Sequence, residues 1–259
     1  MKYYIYILFL LFGMSSCQIK EEMTVNKDGS GEYHLGIDMS ELIKATKNVK
    51  KNIKDSLGSN QKDTTSYKSY DSVFLVSSFY KKVSDSLELS KKEKKALKEL
   101  KDLVVHLKVD EKANIMNVSY VLPYKNFSQL ENLFQNLRIF NRIENRYKKK
   151  KSKPKEQEDM FDKLFNYKVH YSLRNNIFTR KTIPQKKERT KAKDSLAKKE
   201  DISNFFTYEM IYHFPSPIKE IKYKGEAKMS ADRKTLFISI PANQFDSDSE
   251  LLDFQIILE

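Results

Sequence analysis

In 259 residues there is one cysteine, no tryptophan, six glycines and six prolines. One thiol excludes an internal disulfide and a zinc–thiolate cluster. So few glycines and prolines exclude a collagen-like chain, and no fixed-period repeat is visible. The apolar run Tyr3 to Phe12 spans ten residues, half the roughly 20 that a membrane-crossing helix needs. There is no Gly-rich phosphate loop, no G-x-S-x-G, and no Ser-x-x-Lys with its companion motifs. Four histidines, His34, His106, His170 and His213, lie far apart, and none has the i, i+4 spacing of a helical zinc motif. The sequence therefore displays no metal site, no cofactor site and no catalytic constellation.

What is present begins at the amino terminus. Lys2 precedes the apolar run, and Gly13-Met14-Ser15-Ser16-Cys17 follows it. A charged start, an apolar stretch of about 7–15 residues and small residues at the cut are the parts of a secretory signal. Ser15-Ser16-Cys17 resembles a bacterial lipobox, with Met14 where Leu is usual and Ser16 where Gly or Ala is usual. This reading places a signal peptide at 1–16 and cleavage between Ser16 and Cys17. A lipid is then expected on Cys17, the sole cysteine. Cysteine nucleophiles are then excluded as well. Lys20-Glu21-Glu22 is similar to the short export signal of surface-displayed Bacteroidota lipoproteins. It is expected to act in a tether, 17–22, ahead of a first strand near Met23.

The formal net charge of +13 is unevenly placed. Arg142 to Lys155 holds eight basic residues against one acidic, and Arg180 to Lys199 nine against two, a net +7 each. Like-charge blocks read as solvated inserts, placed near 142–157 and 180–201. Beside a membrane they would attract anionic lipid or acidic glycan. Lys148, Lys149, Lys150, Lys151, Lys186, Lys187 and Arg189 are the candidate contacts. An exported chain is not expected to bind nucleic acid.

Along the chain, Met23 and Val25 alternate with polar residues, as do Tyr33, Leu35 and Ile37, around Asp28-Gly29-Ser30-Gly31, predicting a hairpin. Asp38 with Glu41 predicts a helix start, its apolar stripe running from Met39 to Leu57. Val73–Val76 fits a strand or a helix. Ser90 with Glu93 is a capping box for a helix over 90–101. Val105 to Val109 and Met116 to Leu122 predict a second hairpin, and Asn126 a third helix bearing Leu130, Leu133, Phe134 and Leu137. Strands follow at Tyr167–Leu173, Ile177–Thr179, Phe206–Phe214, Ile218–Tyr223, Leu236–Ile240 and Leu252–Leu258. The predicted class is α+β: a mostly antiparallel, curved sheet of hairpins, with three or four helices packed on one face. The domain is expected to be single, over 23–259, and an enclosed apolar interior is one form such a sheet can take.

Phe206 to Phe214, the proline break, Ile218–Tyr223, and Ser230-Ala231-Asp232-Arg233-Lys234 feeding the next strand form a pattern similar to the LppM-type lipoproteins of mycobacteria. That pattern is also similar to uncharacterised Bacteroidota lipoproteins, as are Asn26 to Gly31 and Asp38-Met39-Ser40. The resemblance covers about a third of the chain and transfers no functional residue. It implies an anchored α+β domain that binds lipid or glycolipid. This chain ends in the strand Leu252–Leu258, where LppM-type sequences carry a membrane helix. The leading expectation is a lipid-anchored envelope protein, in the outer membrane, acting as a binding or structural module and not as an enzyme. The alternative is an enzyme acting on envelope lipid or glycan, its site dispersed along the chain.

Overall fold

The computed structural model describes residues 17–41, 43, 44, 47, 67–149, 165, 167–184, 206–241, 244 and 249–259. The protein is α+β, with its strands in two open sheets. The larger sheet has eight strands. Its centre is β1 (Cys17–Val25), flanked by β2 (Gly31–Asp38) and β8 (Phe206–His213). Beyond β2 come β5 (Ile115–Tyr124), β4 (Val104–Asp110) and the edge strand β3 (Ser69–Leu75). Beyond β8 come β11 (Thr235–Pro241) and the edge strand β10 (Ala227–Met229). The smaller sheet runs β6 (Tyr167–Arg174), β7 (Ile177–Pro184), β12 (Phe254–Leu258), β9 (Ile218–Tyr223). Among the described residues every pairing is antiparallel except β1 with β8, which is parallel.

Period-2 patterning puts one face of the large sheet inside. Ile19, Met23, Tyr33, Leu35, Tyr208, Tyr212 and Leu236 are all at most 1% exposed. Two layers share that face. Over β2 to β3 lie the helices α1 (Val76–Ser84), α2 (Lys91–Glu99) and α3 (Leu133–Lys149). There Phe134 meets Tyr33 edge-on, and Phe79 does the same with Phe140. Over β1 and β8 lies the small sheet, with Tyr212 edge-on to Phe254 at 4.9 Å. Both layers drain into one contiguous buried cluster.

Local chemistry sets the turns. Asn26 to Ser30 closes the first hairpin, with Asn26 N–H donating to the Ser30 carbonyl at 2.8 Å. Gly29 sits at φ +79°, which glycine adopts without strain. Asn175 and Asn176 both take positive φ, joining β6 to β7. Ser90 caps α2 with the reciprocal Glu93 bonds of a full capping box. Asp38 Oδ1 accepts from Ser40 N–H at 2.8 Å, as a helix start requires, and most of the Met39–Leu57 stripe lies outside the described residues.

Several boundaries differ from the sequence reading. β1 starts at Cys17, not near Met23, so 17–22 is strand and not tether. The alternation Cys17, Ile19, Glu21, Met23 was hidden because its third inward residue is charged. Val73–Val76 is both expected elements, the end of β3 and the start of α1. Asn126 does not cap α3. Its side chain accepts from Ser128 Oγ, a 3₁₀ turn spans Phe127–Gln129, and α3 starts at Leu133. The basic insert expected from 142 begins as helix, because Ile143 is fully buried and Tyr147 packs on Phe79. The insert expected from 180 begins as β7, which continues to Pro184. The separate small sheet was not expected, and Lys228 and its neighbours in β10 were not read as a strand.

Gly31 tests the hairpin. A Cβ there would lie 1.8 Å from the Thr24 carbonyl oxygen and 2.5 Å from the Tyr124 hydroxyl. Gly31→Ala is expected to cost about 3 kcal/mol, the upper end for an overpacked site. Gly36→Ala, whose Cβ would meet nothing closer than 3.9 Å, is the control. Equal urea midpoints for the two variants would refute the close approach.

Candidate functional site: a buried ion pair ringed by tyrosines

Glu21 stands at the middle of β1 on its inward face, and Arg180 stands on the inward face of β7. Both are fully buried. Arg180 Nη2 meets Glu21 Oε2 at 2.9 Å, and Nε meets Oε1 at 3.2 Å, a two-pronged pairing. Tyr171 OH donates to Glu21 Oε1 at 2.9 Å. Tyr208 and Tyr212 donate short bonds to the same carboxylate. Arg180 Nη1 donates to Thr182 Oγ1 at 3.0 Å and to the Leu252 carbonyl at 2.6 Å. Tyr167 OH adds an outer bond to Tyr208 OH at 3.3 Å.

The electrostatics follow from that shell. Burial pushes the Glu21 carboxyl up, but the Arg180 charge and the hydrogen bonds from Arg180, Tyr208 and Tyr212 hold it below its ordinary value of 4.5. For Arg180, burial works against the charge, and Glu21 more than compensates, so it stays protonated. Burial, then the Glu21 charge, pushes Tyr171, Tyr208 and Tyr212 well above the ordinary tyrosine value of 10.0. Five donors on one carboxylate leave it no lone pair for a substrate. The arrangement is closed to solvent and neutral overall. It joins the two sheets and has no means to do acid–base chemistry on a ligand.

The residues singled out from the sequence are scattered. Cys17 is the first residue of β1, opposite Phe206, with its side chain 2% exposed in the full chain. Lys20 and Glu22 point outward and pair with each other at 2.7 Å, and Glu22 also meets His213 at 3.0 Å. Glu21 points the other way, into the core. Lys148 and Lys149 form the end of α3. Ser16, Lys150, Lys151, Lys186, Lys187 and Arg189 lie outside the described residues, as does the 1–16 signal segment. The histidines sit on polar strand phases, each beside an acid: Glu32 for His34, Asp71 for His106, Glu131 for His170, Glu22 for His213. Among the described residues no three His, Cys, Asp or Glu side chains gather to hold a metal. Asp28 is spent on Ser30, accepting from its N–H at 3.0 Å and its hydroxyl at 2.6 Å.

Neither a family model nor a curated protein matches the chain. Among solved structures, it is similar to the folded domain of the Mycobacterium tuberculosis LppM protein, determined by NMR. That match covers 94% of this chain and 91% of that one, with 6% identity and a TM-score of 0.32, a score at which two chains need not share a fold.

The ion pair was missed because its halves were read separately, Glu21 in an export motif and Arg180 in a basic insert. The signal was phase. Glu21 falls between Ile19 and Met23, and Arg180 is in register with Phe178 on one side and Thr182 on the other.

Glu21→Gln leaves a buried guanidinium without its counter-charge and is expected to cost about 3–5 kcal/mol. Arg180→Met is expected to cost as much, and the double variant clearly less than the sum. Urea unfolding that gives additive losses would refute the pairing. The pH limits follow from the same group. Glu21 titrates lower when folded, so its contribution is full above about pH 4.5 and drains as pH falls toward the depressed value. The tyrosines titrate higher when folded, so theirs is full below about pH 10 and drains above it. Thermal melts from pH 2 to 12 should fall at both ends, and Glu21→Gln should flatten the acid limb.

Proposed function

We propose that this chain is a lipid-anchored module of the cell envelope, held in the outer membrane by a lipid on Cys17, and that it binds or presents rather than catalyses. The carrying observation is the place of Cys17: the sole cysteine, behind an apolar run, and the first residue of the central strand. The lipid would leave from the end of the large sheet where β1 begins.

That end is also where the basic segments depart and return. β8 begins at Phe206, opposite Cys17. β7 ends at Pro184, opposite Tyr167, whose hydroxyl reaches Tyr208. α3 runs the same way. Its Asn136 meets Glu99 at the carboxyl end of α2, and its Arg146 meets Glu93 at the amino end. α2 leads into Val104, the end of β4 that is in register with Glu22 and farther from Cys17 than Asp110, so α3 delivers Lys149 toward the Cys17 end. Lys149 and Pro184, which precede the lysine-rich stretches, thus stand on the side of the anchor. Each Lys near an anionic leaflet is worth about 1 kcal/mol, so Lys148 to Lys151, Lys186, Lys187 and Arg189 would add an electrostatic hold to the acyl chains.

Cys17→Ser is expected to abolish [³H]palmitate labelling and move the protein out of the membrane fraction. Retention of both would overturn the anchor. The export reading of Lys20-Glu21-Glu22 needs a test that spares Glu21. Lys20→Ala with Glu22→Ala, both outward, is expected to remove protease accessibility on intact cells while the protein stays folded. Unchanged accessibility would remove surface display.

A further inference from the structure

We infer that a groove on the helical layer is a binding site for an acyl-bearing amphiphile with a net-anionic phosphate headgroup. The groove has a volume of about 330 Å³ and lies between α1 and α2. Ser77, Tyr80 and Leu97 form its floor, and Lys94, Lys95, Lys98 and Lys101 its rim. The backbone closes one end, where Ser77 N–H donates to the Lys101 carbonyl at 3.3 Å. The volume is at the small end for ligand pockets, enough for a headgroup and the first part of a chain.

Charge decides the occupant. Lys94 and Lys98, four apart on α2, and Lys101, which follows the helix end and meets Asp102 at 4.0 Å, make one stripe along the groove. Like charges so spaced on a helix repel each other, so the stripe weakens the helix when empty. The acids of α2 do not relieve it. Glu93 is engaged by the Ser90 cap and by Arg146 at 2.7 Å. Glu99 accepts from Asn136 at 2.7 Å and meets Lys95 at 3.8 Å. Lys94 and Lys98 have no acidic partner among the described residues. Beneath them the Tyr80 ring and Leu97 offer an apolar surface, extended by the lysine stems. A phosphate fits the rim and an acyl chain fits the floor.

The closed Ser77–Lys101 end of the groove stands beside Leu75 and Val104, the ends of β3 and β4 farther from the level of Cys17. Its occupant is therefore a lipid monomer taken from elsewhere and not the leaflet that holds the anchor.

This site rests on the reading of the protein as a binding module, but not on acylation, so the test separates the two. The full chain is placed in phosphatidylcholine nanodiscs, held by a lipid on Cys17 or by Tyr3–Phe12. Dihexanoyl phosphatidylglycerol is added below its micellar concentration and binding is followed by calorimetry. Saturable binding is expected, with none for dihexanoyl phosphatidylcholine. Lys94→Glu with Lys98→Glu should weaken it about tenfold or more. Lys219→Glu with Lys222→Glu, the same charge change on exposed β9, should not. Tyr80→Ser should weaken the lipid and leave inorganic phosphate unaffected. Equal loss in both charge variants, no saturable binding, or inorganic phosphate binding as tightly as the lipid would each overturn the site, whatever Cys17→Ser does to anchoring.

Discussion

Burying a carboxylate and a guanidinium without water costs several kcal/mol per ion, and their attraction repays it only when every remaining donor and acceptor is satisfied. That requirement orders this protein. Glu21 needs five donors, and they come from three other strands, β6, β7 and β8. Arg180 needs the Leu252 carbonyl as well. Only one placement of the small sheet over the large one meets all these demands together. Hydrophobic packing around Phe178, Tyr212 and Phe254 supplies the driving force but would tolerate sliding. The polar centre fixes the register between the layers.

The same centre explains what the sequence disclosed and what it hid. Alternating runs such as Tyr33-Leu35-Ile37 and Phe206 to Phe214 announced strands because their inward residues are apolar. Ser90 with Glu93 announced a helix because that capping chemistry is local. The start of β1 was hidden because Glu21 breaks the apolar alternation, and Arg180 disguised the middle of β7 in the same way. Pairing was not local either. Nothing within a strand says that Glu21 will sit opposite Leu35 on one side and Met210 on the other. The edge strand β3 is exposed along most of its length, so it carries no periodicity to read. The groove between α1 and α2 was illegible for a different reason. A lysine-rich helix looks alike whether its acids face the lysines or are drawn off by Asn136 and Arg146.

The polar interior is closed, and Lys149, Pro184 and Phe206 stand on one side, as the proposed module, held at one end and working at the other, would need. Lys20, Glu22, His34 and His213 lie on the outer face of the large sheet, with no described layer over them, and their pairs there are exposed and contribute little. Stability belongs to the interior, to which the helical layer contributes Leu97, Phe134, Phe140 and Ile143.

The parallel pairing of β1 with β8 has a consequence in time. The central strand is the first segment of the folded body to be synthesised, yet one of its two neighbours begins at Phe206 and the partner of Glu21 waits at Arg180. Contacts so distant in sequence close slowly. Until about seven-tenths of the chain has emerged Glu21 lacks its counter-charge, until about four-fifths β1 lacks one flank, and an unpaired Glu21 opposes premature burial. The first strand is thus the last to be completed, and its burial waits on β7 and β8.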